Sequence, residues 1–155
     1  MSASEWMRLA IELAVRSVAA GGGPFGAVVV RNGGIIGRGS NRVVLDADPS
    51  AHAEILAIRE ACRFLRTHEL VGCEIFTSTE PCPMCLGAIL WARITRVHFA
   101  CTRSDAAGAG FDDARFHAEL GRALPERCIP MLADGREEGL AAFRAWRDKA
   151  DRTAY

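Results

Sequence analysis

The 155-residue chain has the length of one domain and the composition of an ordinary globular protein: half of its residues are apolar and 25% are charged. Nineteen basic residues balance nineteen acidic residues, so no overall field draws the protein to nucleic acid or to an anionic membrane. The sequence has no apolar stretch long enough to span a bilayer, and its N-terminus lacks the layout of a signal peptide. These features predict a cytoplasmic protein that binds neither nucleic acid nor membranes.

Strand patterns and helical patterns alternate over the first two thirds of the chain. The turn residues Asn32-Gly33-Gly34 predict a tight hairpin, and Asp48-Pro49 predicts a helix start. The predicted elements are a helix over 4–20, strands over 27–30 and 35–39, a helix from about Ala51, a strand over 74–78, a helix over 84–92 and a strand over 96–100. This order predicts a partly parallel sheet that is covered on both faces and opened by an antiparallel hairpin.

The remainder of the chain is less regular. We expect a short helix around Phe116, a further strand over 129–132 and a last helix over 138–149. The pattern shows neither a repeat nor a linker, so residues 1–155 are predicted to form one domain. The glycine-rich stretch 21–26 lacks the Lys-Ser/Thr ending of a phosphate loop, and we expect its backbone to approach a small ligand.

Two of the six cysteines, Cys82 and Cys85, lie three positions apart at the start of a predicted helix. A disulfide, a redox pair, a structural metal site and a catalytic metal site are the alternatives, and a reducing compartment disfavours the disulfide. A helix N-terminus lowers the pKa of thiols, which favours thiolates that bind zinc. The remaining cysteines are expected in the core and the remaining histidines in the core or at the surface: Cys62, Cys73, Cys101, Cys128, His68, His98 and His117.

A second motif, His52-Ala53-Glu54, precedes the cysteine pair, and the combination of the two is typical of zinc-dependent base deaminases. His52, Cys82 and Cys85 would leave one tetrahedral position of Zn²⁺ for water, whose pKa falls to about 7. Glu54 would lie beside the metal and carry protons from that water to the substrate. We therefore predict one Zn²⁺ per subunit, with a bound water or hydroxide.

Beyond the metal motif, several segments resemble one family. They are Gly23-Pro24-Phe25-Gly26-Ala27-Val28, Asn41, Asp48 to Glu54, Glu80 to Arg93, Asp105-Ala106-Ala107, Ala109-Gly110-Phe111-Asp112-Asp113, and Phe143 to Arg147 with Tyr155. On these residues the chain resembles the cytidine deaminase-like superfamily and, within it, most closely the bacterial guanine deaminases. The resemblance implies a three-layer α/β/α fold with a five-stranded mixed sheet. It also implies a homodimer in which a C-terminal segment, about 138–155, is exchanged between subunits.

The resemblance further implies roles for individual residues. Phe25 would stack on a purine base, Asn41 would read its edge, and Asp113 would assist Glu54 in proton transfer. Ala53 would contact the base, Trp91 would line the pocket, and Tyr155 would close it from the other subunit. Without the resemblance, Phe25 would be interpreted as a core residue and Asp113 as part of a helix cap.

The activity implied is the zinc-dependent hydrolytic deamination of guanine to xanthine and ammonia. Alternatives are a deaminase of a related base or nucleoside, such as ammeline, guanosine or cytosine, or a tRNA adenosine deaminase. The last of these would call for a basic surface, which the balanced charge does not predict. A zinc-binding module without enzymatic activity is the alternative from another class of protein.

Overall fold

The computed structural model describes residues 2–155, which fall into two compact units, one ending at Ala114 and one spanning Arg115–Tyr155. The elements of the first unit are α1 (Ala3–Ala19), β1 (Gly26–Arg31), β2 (Gly34–Ser40), α2 (Val43–Asp46), α3 (Ala53–Leu65), β3 (Glu74–Thr79), α4 (Pro83–Trp91), β4 (Arg96–Cys101) and α5 (Arg103–Gly108). The remaining elements are α6 (Ala114–Leu120), which begins at the last residue of the first unit, and, within the second unit, a 3₁₀ turn (Leu124–Glu126) and α7 (Arg136–Asp148). Among the described residues, no helix is both long enough and apolar enough to cross a membrane.

The sheet is mixed, as predicted, with the strand order β2-β1-β3-β4. β1 pairs antiparallel with β2 and β3, and β3 pairs parallel with β4. Within residues 2–155 the sheet has four strands, so the prediction of five is wrong. The segment 129–132, predicted to be a strand, is irregular, and Ile129 and Leu132 are exposed. Pro130 lies in its middle and has no N–H to donate to a strand ladder.

The predicted hairpin turn is confirmed. Asn32 and Gly33 both have positive φ, 50° and 77°. A two-residue turn of this kind matches the twist of the flanking strands, which is why Asn-Gly favours it. It sets the register in which Arg31 lies opposite Gly34.

Two apolar layers cover opposite faces of the sheet. On one face Val28, Val30 and Phe76 pack with Ala10 of α1. On the other face Val29 and neighbouring residues of β1 and β3 form a cluster with α3. Because successive side chains of a strand point to opposite faces, a strand buried on both sides is apolar throughout, as Gly26–Val30 is. The α/β class predicted from the sequence is confirmed.

Glycines bring the helices close to the sheet. A Cβ on Gly39 would overlap the carbonyl oxygen of Ala53 in α3, and one on Gly26 would overlap that of Ala10 in α1. A Cβ on Gly22 would overlap the carbonyl oxygen of Asn41. The glycines at 22 and 26 therefore allow close packing of the chain on itself, and the approach of this stretch to a ligand stays a prediction.

Helix α3 begins at Ala53, two residues later than predicted, with His52 as its N-cap. The Asp48 carboxylate accepts hydrogen bonds from the N–H and the hydroxyl of Ser50, at 2.8 and 2.7 Å. Asp48 therefore stabilises a turn instead of capping the helix. The short helices α2 and α5 were not predicted. α5 begins with a capping box between Thr102 and Asp105.

Cys73 is buried and Cys62 packs against the core, as expected. The core prediction is wrong for Cys101 and Cys128, which are exposed. Cys101 ends β4, the last strand of the described sheet, and Cys128 lies in irregular structure between the 3₁₀ turn and α7.

The second unit matches the helices predicted for it but has no buried residue between 115 and 155. Glu119 organises its middle by accepting the N–H of Cys128 at 2.6 Å and pairing with Arg122 at 3.1 Å. Eight of its large apolar side chains are exposed: Phe116, Leu120, Leu124, Ile129, Met131, Leu132, Phe143 and Trp146.

Candidate active site

Three metal-ligating side chains converge at the N-termini of two helices. His52 is the N-cap of α3, Cys82 is the N-cap of α4, and Cys85 lies in the first turn of α4. His52 Nδ1 is 3.6 Å from Cys82 Sγ and 3.5 Å from Cys85 Sγ. The three ligand atoms all lie within 4.8 Å of one another.

These distances fit a zinc ion. Zn–S bonds of about 2.3 Å and Zn–N bonds of about 2.0–2.1 Å at a tetrahedral angle place nitrogen and sulfur about 3.6 Å apart. Two thiolates and an imidazole are ligands that zinc favours, and three protein ligands leave one position open. The residues present therefore fit the metal that the motif predicts.

The local sequence prepares these donors. Pro83 occupies the first turn of α4, where its missing N–H costs nothing, and leaves Cys82 in an extended cap conformation. A hydrogen bond from Cys85 lowers the pKa of Cys82 to about 4, and His52 adds to the effect. The pKa of Cys85 is raised because its thiol donates to Cys82 and is buried. The hydrogen bond with Cys82 raises the pKa of His52.

Glu54 is the second residue of α3 and only 7% of it is exposed. Burial raises the pKa of its carboxyl. A buried carboxyl with a raised pKa beside a metal-ligand group is suited to take up and release a proton. Glu54 is therefore placed for proton transfer without belonging to the group of three donors.

Asn41 follows β2 and is buried. Its Oδ1 accepts the N–H of Gly23 at 3.3 Å and of Val43 at 3.2 Å, and its own N–H donates to the Phe25 carbonyl at 3.0 Å. Because both side-chain partners are donors, the amide oxygen must face them. The side-chain NH₂ is left as the group that can donate to a ligand.

Phe25 is half-buried and packs on the core cluster of the α3 face. Its ring also meets Phe111 edge to face, with the centroids 4.9 Å apart and the planes at 87°. This contact connects the loop before β1 to the segment that carries Asp113. Asp113 is half-buried, whereas the neighbouring Asp112 is exposed and accepts the N–H of Ala114 at 2.9 Å.

The family model of the cytidine and deoxycytidylate deaminase zinc-binding region matches residues 1–101, which include all three metal donors and Glu54. The chain belongs to this deaminase family. It is 47% identical to the guanine deaminase of Bacillus subtilis (strain 168) over the full length of both chains. It is 35% identical to a tRNA-specific adenosine deaminase of the same strain, over 93% of this chain and 90% of the relative.

A solved structure shows the same similarity to a guanine deaminase. The X-ray structure of guanine deaminase from Bacillus subtilis superposes with a TM-score of 0.96 at 47% identity, covering 100% of this chain and 99% of the other. The cytidine deaminase-like fold predicted from the sequence is confirmed.

The other three predicted site residues of this deaminase differ from one another in their exposure to solvent. Ala53 is fully buried at the first position of α3. Trp91 ends α4 and is 61% exposed. Tyr155 belongs to the second unit and is exposed there.

The sequence of this deaminase did not predict a role for two residues near the site: Phe111, whose ring contacts Phe25, and Ser17, a buried residue of α1. An aromatic residue two positions before a candidate catalytic aspartate was the available signal for Phe111. For Ser17 the signal was a serine placed at the spacing of the buried stripe of α1.

Proposed function

We propose that this deaminase converts guanine and water to xanthine and ammonia. The observation that carries the proposal is the group of three donors, spaced for zinc, beside the buried carboxyl of Glu54. The full-length identity of 47% to a guanine deaminase, against 35% to a tRNA-specific adenosine deaminase of the same organism, favours guanine among the substrates of the family.

His52, Cys82 and Cys85 hold Zn²⁺ in this proposal. Bound there, zinc supplies a water molecule with a pKa of about 7 as the nucleophile for C2 of guanine. Glu54 takes a proton from the attacking water and passes it to a ring nitrogen of the base. It then takes the second proton, from the hydroxyl group now bonded to C2, and delivers it to the amino group. The C2–N bond breaks, ammonia leaves, and the oxygen of the water remains as the C2 carbonyl of xanthine.

The base is held by residues around the donors. Asn41 donates its side-chain NH₂ to an acceptor on the base edge, which suits the oxygen and ring nitrogens of an oxopurine. Phe25 offers an aromatic surface to the flat ring, and Ala53 contacts the base. Asp113 assists Glu54 in delivering the second proton. The edge-to-face contact of Phe25 with Phe111 supports this arrangement, because it brings the segment of Asp113 close to the loop of Phe25.

The chain acts as a homodimer of single deaminase domains, 1–155, which exchange the segment of about 138–155. Support comes from the second unit, which has no buried residue between 115 and 155 and exposes the eight large apolar side chains from Phe116 to Trp146. A unit without a core does not stabilise itself, so these side chains require another apolar surface. Tyr155 then closes the site of the partner subunit, and Trp91 lines it.

A substrate panel tests the activity. Ammonia release is measured with guanine, adenine, cytosine, ammeline and guanosine, and inosine formation is measured on tRNA. We expect guanine to have the highest kcat/KM, with ammeline as a side substrate. Absence of ammonia from guanine, together with turnover of another member of the panel, would refute the assignment.

A further inference from the structure

Ser17 stands out on the buried face of α1. Of the three buried residues of this helix, Ala10, Ala14 and Ser17, it alone is polar, and it is 4% exposed. A buried polar group destabilises the fold unless it makes a hydrogen bond. The Ser17 hydroxyl donates to the carbonyl oxygen of Asn41 at 2.9 Å, across 24 residues of sequence.

The same residue also fixes the glycine-rich loop. The N–H of Gly22 donates to the Ser17 carbonyl at 2.8 Å. A Cβ on Gly22 would overlap both the Ser17 hydroxyl and the Asn41 carbonyl oxygen, so the loop backbone lies directly against this hydrogen bond. Only glycine allows the three groups to approach so closely.

The loop and Asn41 are in turn bonded to each other. Gly23 donates to the Asn41 side chain at 3.3 Å, and the Asn41 N–H donates to Phe25 at 3.0 Å. The hydroxyl of Ser17 thus lies at the centre of a network that fixes the backbone of both Phe25 and Asn41. Both residues are among those proposed to contact the base.

We propose that Ser17 is a positioning residue for base recognition, which acts through the hydrogen bond of its hydroxyl with the Asn41 carbonyl. This inference rests on the proposed function. Ser17 itself contacts neither substrate nor metal, so its loss is expected to act on substrate binding more than on the chemical step. Metal binding should be unaffected, because His52, Cys82 and Cys85 lie at the starts of α3 and α4, away from α1.

The variant Ser17→Ala is expected to fold. A cavity of about 290 Å³ is lined by Ser17 and Asn41 among other residues, and it gives water a route to the Asn41 carbonyl once the hydroxyl is removed. We expect KM for guanine to rise about ten-fold, with kcat changed less than three-fold, which is the effect of one lost buried hydrogen bond on binding. Zinc content should equal that of the wild type.

Three comparisons separate positioning from a general structural effect. Ser4→Ala, on the exposed part of the same helix, should leave KM for guanine unchanged. Ser17→Thr keeps a hydroxyl, so its KM should be closer to that of the wild type than the KM of Ser17→Ala. In the background of Asn41→Ala, Ser17→Ala should cause little further loss of kcat/KM, because the amide group that Ser17 positions is then already absent.

Amide hydrogen exchange gives a measurement that does not need turnover. Exchange at Gly22 and Gly23 should be about ten-fold faster in Ser17→Ala, with β3 unchanged. An unchanged KM, additive losses in the double variant, unchanged exchange, or a Ser17→Ala protein that does not fold or hold zinc would each overturn the inference. An inactive wild type would refute the proposed function instead, and hydrogen exchange would then decide the role of Ser17.

Discussion

Replacing Glu54 with Gln tests the chemistry of the site while keeping its shape. Glutamine has the size of glutamate but cannot take up and release the proton that deamination requires. General acid–base catalysis by one positioned group contributes about 10²- to 10⁴-fold to a rate. Because Glu54 serves two proton transfers in the proposed mechanism, we expect kcat to fall at least 10³-fold, at the upper part of this range.

The same variant should be stable and hold its metal. Glu54 is 7% exposed, and burial raises its pKa because the charged form is penalised. An uncharged side chain of the same size avoids that penalty, so the melting temperature should be equal to that of the wild type or higher. Zinc content should stay at one per chain because Glu54 is not among the three donors.

The assay measures ammonia from guanine at saturating substrate, with zinc determined by atomic absorption on the same samples. Glu60→Gln is the matched control, because Glu60 lies on the same helix but is exposed and accepts the N–H of Arg38. This control should retain wild-type activity. A Glu54→Gln protein with more than a tenth of the wild-type kcat, or one whose loss of activity follows a loss of zinc, would refute the role given to Glu54.

Three further predictions concern metal, packing and tail. Cys82→Ser should lose zinc and activity together, whereas Cys101→Ser, at an exposed thiol, should lose neither; zinc analysis of both variants checks this. Gly39→Ala should lower the free energy of unfolding by about 2 kcal/mol or more, because its Cβ would overlap the α3 backbone. Gly87→Ala, on α4 with open space around the added Cβ, should leave the free energy of unfolding unchanged or raise it by about 0.5–1 kcal/mol. Denaturant unfolding measures both. Deletion of 150–155 should abolish turnover with zinc unchanged, and an active truncated enzyme would remove the tail from the site.

The sequence predicted the centre of the site well because its residues are local. Each half of the donor group lies within a few positions of a helix start, so spacing alone places His52 near Glu54 and Cys82 near Cys85. The hairpin was predictable for a similar reason, since Asn32 and Gly33 carry the positive φ values that the turn requires.

Features that depend on tertiary contacts were not predictable in this way. Asp48-Pro49 has the residues typical of a helix start, but Asp48 accepts a hydrogen bond from Ser50 in a turn. The helix begins only after its N-cap, His52. The apolar residues of 129–132 suggested a strand, although Pro130 opposes one. The hydrogen bond of Ser17 with Asn41 joins residues 24 apart in sequence, and no local sequence pattern predicts such a bond.

The most direct test of the proposed reaction is the conversion of guanine by the zinc-loaded wild-type protein in ¹⁸O-labelled water. Hydrolytic deamination at C2 predicts xanthine carrying one ¹⁸O atom and an equal amount of ammonia. Absence of xanthine, or xanthine without the label, would contradict the account.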